Sequence, residues 1–258
     1  MPLRLLPLLR KRLPFLMPPI LLWAAWEAAI LSGAFPATIL IPPAQVFATL
    51  WSLIQDGELA SDLGVTAGRV LSGFAIGGGT GLVVGVFLAL VPAAERQLGG
   101  LFHAGRQVPF IALGPLFIVM FGIGEAFIIA MIAVAAFFPV ALNTLDGIRG
   151  VPRRYRDVAM IYGFSRWSLI RRVVLPGALP AILTGLRLAL ARCWGIVVAA
   201  ELFGSNAGIG HMMEWAREMF QIDVVMAGVV VTGVIGFLMD QGLRRIEARL
   251  VPWQGRGA

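Results

Sequence analysis

Between Val108 and Leu142 the chain carries one charged residue, Glu125, in an otherwise apolar run. A helix that crosses the roughly 30 Å hydrocarbon core of a bilayer needs about 20 mostly apolar residues. The run is too long for one such helix and too short for two long ones. Gly122 and Gly124 flank Ile123 immediately before Glu125, and glycines at that point supply a tight, polar turn that splits the run into two short spans. Four further apolar runs qualify as spans, at about Phe15 to Ala34, Leu63 to Val91, Ala178 to Ala200 and Asp223 to Leu243. The expected fold class is therefore an all-α integral membrane protein with six transmembrane helices. Composition agrees: 59% of residues are hydrophobic and 14% charged, with a mean hydropathy of +0.86, far from the makeup of a soluble domain.

An even number of spans puts both termini on one side, and lysine and arginine collect in short cytoplasmic loops. Seventeen of the twenty-one basic residues fall at the two termini, around Arg96 and Arg106, or between Asn143 and Gly177. The opposite loops hold Arg217 and are rich in acids, among them Asp56, Glu58, Asp62, Glu214 and Glu218. Both termini are thus expected to be cytoplasmic. The predicted organisation is a cytoplasmic segment 1–14, a single transmembrane domain 15–250 containing a cytoplasmic loop 143–177, and a cytoplasmic tail 251–258. The net charge of +7 finds its partner in anionic lipid headgroups, and nucleic acid is not implied. The basic start before an apolar run resembles a secretory signal, but Glu27 and the lack of a small-residue cleavage site favour a retained span. Cys193 is the single cysteine, so neither an internal disulfide nor a multi-cysteine metal site can form. His103 and His211 fall on opposite predicted sides, and no metal site is assigned.

The longest cytoplasmic loop reads as two short helices. Arg153 to Tyr162 makes the first, with Tyr155, Val158, Ala159 and Tyr162 at three- and four-residue spacing on one apolar face. Gly163 can take the left-handed conformation that ends it. Ser165 can cap a second helix from Arg166 to about Val174, which is expected to stop before Pro176.

These residues resemble a known family. Permease subunits of ATP-binding-cassette importers carry a cytoplasmic motif of Glu-Ala-Ala, three residues, Gly, nine residues, Ile, one residue, Leu-Pro. Asp157, Val158 and Ala159 are followed at the same steps by Gly163, Val173, Leu175 and Pro176, with Asp for Glu, Val for Ala and Val for Ile. From about Pro42 to Trp253 the chain is similar to the branch that handles nitrate, sulfonates, taurine and bicarbonate, through Ile41-Pro42-Pro43, Pro109 to Leu116, Phe121 to Gly124, Phe138-Pro139 with Asn143-Thr144, and Ala207 to Gly210. The resemblance implies a type I importer permease fold in the bacterial inner membrane. It implies a homodimer of this subunit, two ATPase subunits beneath it and a periplasmic or lipid-anchored substrate-binding protein outside. Asp157 to Gly163, with Tyr162 on its face, is then the coupling helix that fits a cleft on the ATPase.

The chain itself has no Gly-Lys-Ser/Thr phosphate loop; Lys11 is its one lysine. It is expected to bind no cofactor and to have no catalytic residues, ATP and Mg belonging to the partner ATPase. The run Gly77-Gly78-Gly79-Thr80-Gly81 lies inside a span and reads as a helix-packing surface. Charged residues at membrane depth face a bundle interior or a water-filled path. Arg187, Arg192 and Glu201 are the candidates for a substrate path. Arg187 is close enough to the cytoplasmic end to snorkel or to make a gate contact. Arg192 lies about 7.5 Å deeper, where it can meet an anion or pair with Glu27 or Asp240. Glu201 precedes a glycine-rich outer turn. A stand-alone ion-coupled carrier using Glu27, Glu201 and Asp240 is the alternative, and it leaves the spaced cytoplasmic motif unexplained.

Overall fold

The structure is a computed structural model that describes residues 6–33, 36 and 40–251. Helices dominate it: α1 (Leu6–Leu31), α2 (Pro43–Gln55), α3 (Glu58–Leu90), α4 (Pro92–Gly105), a 3₁₀ turn (Phe110–Leu113), α5 (Gly114–Phe121), α6 (Glu125–Gly150), α7 (Arg153–Ile161), α8 (Arg166–Leu169), a π-helical stretch (Ile170–Val174), α9 (Leu175–Gly204), α10 (Ile209–Glu218) and α11 (Ile222–Leu250).

The core is a sandwich of three long helices with α6 in the middle. In lipid, apolar burial does not drive helices together, so close van der Waals contact between small residues must. Gly73, Gly77, Gly81 and Gly85 recur every four residues and share one face of α3. That face meets α6 so closely that a Cβ at Gly77 would lie 1.9 Å from the carbonyl oxygen of Ala133. The expected packing role of the glycine run is thereby seen at Gly77 and Gly81. On its other side α6 meets α9, where Gly147 faces Ala181 and Gly185 faces Asn143. Ile128, Ile132, Ala135, Ala136 and Val140 of α6 are fully buried as a result.

Among the described residues, four helices are long and apolar enough to cross a membrane: Glu58–Leu90, Glu125–Gly150, the continuous Arg166–Gly204 and Ile222–Leu250. A fifth crossing arises when Pro92–Gly105 and Phe110–Phe121, bent by 92°, are taken together. The apolar part of α1, Ile20–Leu31, is shorter than a span. The expected third span from Val108 to Phe121 is thus only the second half of a broken one. Its first half, α4, was expected to be loop. The break at residues 106–109 has a local cause: Pro109 disfavours helix at the residue before it and has no amide to donate. The turn expected at Gly122 and Gly124 does separate α5 from α6, and both glycines have positive φ. Of the expected terminal segments, residues 1–5 and 252–258 lie outside the described residues; 6–14 begin α1, and Val251 is buried.

The expected loop 143–177 is much shorter than anticipated. Residues 143–150 complete α6, and α8 runs without a stop through the π-helical stretch into α9. Pro176 does not end the helix. It sits within the continuous helix just past the π-helical stretch, whose wider turn accommodates the ring and the missing amide donor. Pro180 likewise lies inside α9. The stop expected before Pro176 is therefore replaced by a continuous helix.

Candidate functional site

Three regions carry the candidate residues: the α7 platform at one end of the core, a charged knot at the opposite end, and the broken crossing between them.

At the first end, the chain leaves α6 at Val151, makes α7 and turns back into α8. Pro152 is the last residue before α7, with φ −58° and ψ 138°, and sets its direction. At the other end of α7, Gly163 donates to the Met160 carbonyl at 2.9 Å and Phe164 to the Ala159 carbonyl at 3.0 Å. This crossed pair of bonds is the Schellman arrangement, and it requires the left-handed φ of +72° found at Gly163. Ser165 then caps α8 by accepting from the Ser168 amide at 3.3 Å. Arg156 reaches back to donate to the Ile148 carbonyl at 2.6 Å, tying α7 to the last turn of α6. Beneath it Ile148, Val151, Val174, Ala178 and Ile182 form one buried cluster shared by α6 and α9. Ala159 faces inward and is buried, whereas Asp157, Val158 and Tyr162 are exposed. Tyr155, Val158, Phe164 and Val173 border an apolar depression on this surface. Val173 and Leu175, half-buried, and Pro176, exposed, belong to the root of α9 that supports α7.

At the opposite end, Asp62, Thr66 and Arg69 stand at i, i+4 and i+7 on α3, on one face, and together hold the turn between α9 and α10. Asp62 accepts from the Gly208 amide at 2.7 Å, and the Thr66 hydroxyl accepts from the Ile209 amide at 3.0 Å. Glu201 accepts from the Gly210 amide at 2.9 Å, from the Thr66 hydroxyl at 2.9 Å and from Arg69 at 2.8 Å. Arg69 also donates to the Ala207 carbonyl at 2.8 Å and forms a forked ion pair with Glu125 at the start of α6. Arg69 is 5% exposed and Glu201 1% exposed. Glu201, expected beside an open path, is instead locked inside the protein. Sequence reading passes over Arg69 because it treats the span as a uniform apolar run. The signal that reveals it is the polar stripe Asp62, Thr66, Arg69 on one helical face. Nearby on α10, a hydrogen bond from Arg217 holds the half-buried Glu214 carboxyl below the usual carboxylate range.

Between the two ends, Arg187 forms an ion pair with Glu247 of α11 at 3.3 Å, and Thr184 donates to the same carboxylate at 3.1 Å. Arg192 is exposed on α9 and makes no ion pair among the described residues. Asp240, one of its two expected partners, pairs with Arg244 at 2.8 Å, which removes that pairing. Arg106, expected in a cytoplasmic loop, occupies the break after α4. Gly105 and Phe110, on either side of that break, both pack against Phe138, half-way along α6.

The chain matches the family model "Binding-protein-dependent transport system inner membrane component" over residues 81–252. It is 39% identical over 92% of its length to SsuC of Bacillus subtilis strain 168, whose name gives aliphatic sulfonates as cargo, and covers 86% of that protein. It is 37% identical over 92% of its length to "Taurine transport system permease protein TauC" of Escherichia coli K12, covering 87% of it. Among solved structures, an inward-facing MetNI methionine ABC transporter chain aligns with a TM-score of 0.63 at 22% identity, over 79% of this chain and 98% of that one, which shows a shared fold. A self-sufficient ion-coupled carrier is thereby set aside. With its helical core, its α7 platform and matches over nearly its whole length, the chain belongs to the binding-protein-dependent transport system inner membrane components, the multi-pass permease subunits of ATP-binding-cassette importers.

Proposed function

We propose that this permease works as a homodimer, carries an ATPase subunit on each α7 and passes a small organic sulfonate inward by alternating access. The observation that carries the reading is the construction of α7. Its Asp157, Val158 and Tyr162 are exposed, its end is fixed by Gly163, and its root is shared by α6 and α9. A force applied to that surface moves two spans together. ATP and Mg act on the partner subunits, and this chain binds neither. The knot at the opposite end is then the outer end, where Glu201 acts as the anchor of the turn facing a substrate-binding protein. Arg192 offers its guanidinium to the anion in transit, and Arg187, paired with Glu247, belongs to the inner gate. The sulfonate class rests on the relatives named for aliphatic sulfonates and taurine.

Two experiments test this. Co-expression with its ATPase should give a complex that disappears when residues 157–163 are scrambled; an undiminished complex would refute the docking role. Proteoliposomes holding the complete importer should accumulate ethanesulfonate when ATP is supplied. Uptake of nitrate in its place would overturn the cargo assignment.

A further inference from the structure

We infer that the break between α4 and α5 is an anion-binding station at the middle of the membrane, with Arg106 as its cation; this rests on the reading of the cargo as an organic anion. Depth comes first. Helix α6 has 26 residues, about 39 Å at 1.5 Å per residue, so its midpoint falls at Phe137 and Phe138. Phe102 packs on Phe138 at 5.6 Å and Phe110 at 6.2 Å. Near the start of α4, Glu95 pairs with Arg149 at the α7 end of α6, and past the break Ile118 faces Phe127 and Met131 across a shared cavity. The broken crossing therefore touches α6 near its α7 end, at its centre and near its start, with the break at the centre. Arg106 is placed there and not in a loop.

Chemistry comes second. Non-helical backbone at that depth is tolerated only where it is buried in protein or lines a water-filled cavity, and Arg106 is exposed in this chain. Headgroups lie about 15 Å away in either direction, beyond the reach of an arginine side chain. Glu125 and Glu201 hold Arg69, Glu247 holds Arg187 and Asp240 holds Arg244, and neither Glu27 nor Asp146 forms an ion pair with Arg106. Among the described residues Arg106 has no side-chain partner, and neither has Arg192. A guanidinium so placed requires an anion or water, and a planar fork of donors suits a sulfonate or carboxylate head. Past the break, on the α5 side, Pro115, Ile118, Phe127, Met131, Ala199 and Phe203 line a cavity of about 190 Å³ with no polar side chain. Apolar cavities of about 150 Å³ hold a benzene ring, so this one has room for a short organic tail further along the same crossing. Arg106 is thus a specificity residue for the head group of the cargo.

The test is Arg106→Cys in the complete importer, with ATPase and binding protein, assayed for ethanesulfonate uptake. Cys193 is fully buried, so the wild-type chain serves as the unreactive control. Loss of one charge-assisted contact predicts a fall in uptake of about tenfold or more. Aminoethyl methanethiosulfonate, which restores a cation, should recover uptake, and methyl methanethiosulfonate, which does not, should leave it low. Arg106→Lys should keep most of the activity and covers the case in which the cysteine variant fails to assemble. Equal effects of the two reagents, full activity of Arg106→Cys, or dimer dissociation on size-exclusion chromatography would each overturn the inference. The last would show that Arg106 pairs with the second copy. If the wild type hydrolyses ATP in response to binding protein yet takes up no sulfonate, the cargo reading fails and the inference falls with it.

Discussion

Replacing Arg69 by methionine keeps much of the volume of the side chain and removes its charge. Glu201, fully shielded from solvent, then keeps the Thr66 hydroxyl and the Gly210 amide but loses its only cation. Breaking a buried ion pair from one side costs about 3–5 kcal/mol, because the remaining charge stays buried without compensation. The Ala207 carbonyl loses a donor as well. The carboxylate of Glu125 is 62% exposed, so water can replace the arginine there, and Glu125→Gln should cost at most about 1 kcal/mol. Glu201→Met should fall between the two, since it releases the Gly210 amide of the turn and the Thr66 hydroxyl of α3 while Arg69 keeps Glu125. Thermal unfolding of the detergent-solubilised protein, followed by tryptophan fluorescence, should therefore rank the losses Arg69→Met, then Glu201→Met, then Glu125→Gln. The double variant Arg69→Met/Glu201→Met should recover part of the loss, since no unpaired charge is left behind. An additive double variant, or Glu125→Gln as damaging as Arg69→Met, would refute the assignment of the knot to the Arg69–Glu201 pair.

Two further predictions concern glycines. Gly77→Val places side-chain atoms against the Ala133 carbonyl, which a Cβ would meet at 1.9 Å; overpacking of this kind costs about 1–3 kcal/mol or more. Gly79→Ala, with nothing within 4 Å, should raise stability by up to about 1 kcal/mol through helix propensity, and melting curves of the two variants separate these outcomes. Gly163→Val forces a β-branched residue into φ +72°, a strain of about 1–2 kcal/mol. It should splay the end of α7 and lower the ratio of sulfonate transported to ATP hydrolysed, while unchanged coupling would count against the role of that turn.

Much of this architecture was readable because its causes are local. The crossings α3, α6, α9 and α11 follow from apolar length, and α7 with its end at Gly163 follows from spacing and a single glycine. What sequence hid depends on partners far away in the chain. Arg69 looks like one charge too many in an apolar helix until Glu125 and Glu201, 56 and 132 positions away, are brought beside it. Arg106 reads as one of a basic group on the cytoplasmic side, because a charge count weighs loops and cannot see that α4 carries the chain to Phe138, half-way along α6, first. The continuity of α8 into α9 was missed for the opposite reason. Proline is a strong local breaker, and the π-helical stretch that accommodates Pro176 leaves no trace in propensity.

That stretch yields a last prediction. A π turn is equivalent to one extra residue in an α-helix, and an α-helix advances about 100° per residue. Deleting one residue from Ile170–Val174 should convert the stretch to regular α-helix while the helix on either side keeps its orientation. Arg171 is exposed and Arg172 lies over the Phe164 ring at 5.9 Å, so Arg171 is the residue to remove. Deletion of Ala191 from the regular part of α9 is the comparison. There the helix beyond the deletion turns by about 100°, which takes Cys193, Val197 and Glu201 out of their buried positions. The Arg171 deletion should purify as a monodisperse protein with a melting temperature within a few degrees of wild type, and the Ala191 deletion should aggregate. Equal damage from the two deletions would mean that the π stretch is held by contacts of its own, and that its wide turn does more than make room for Pro176.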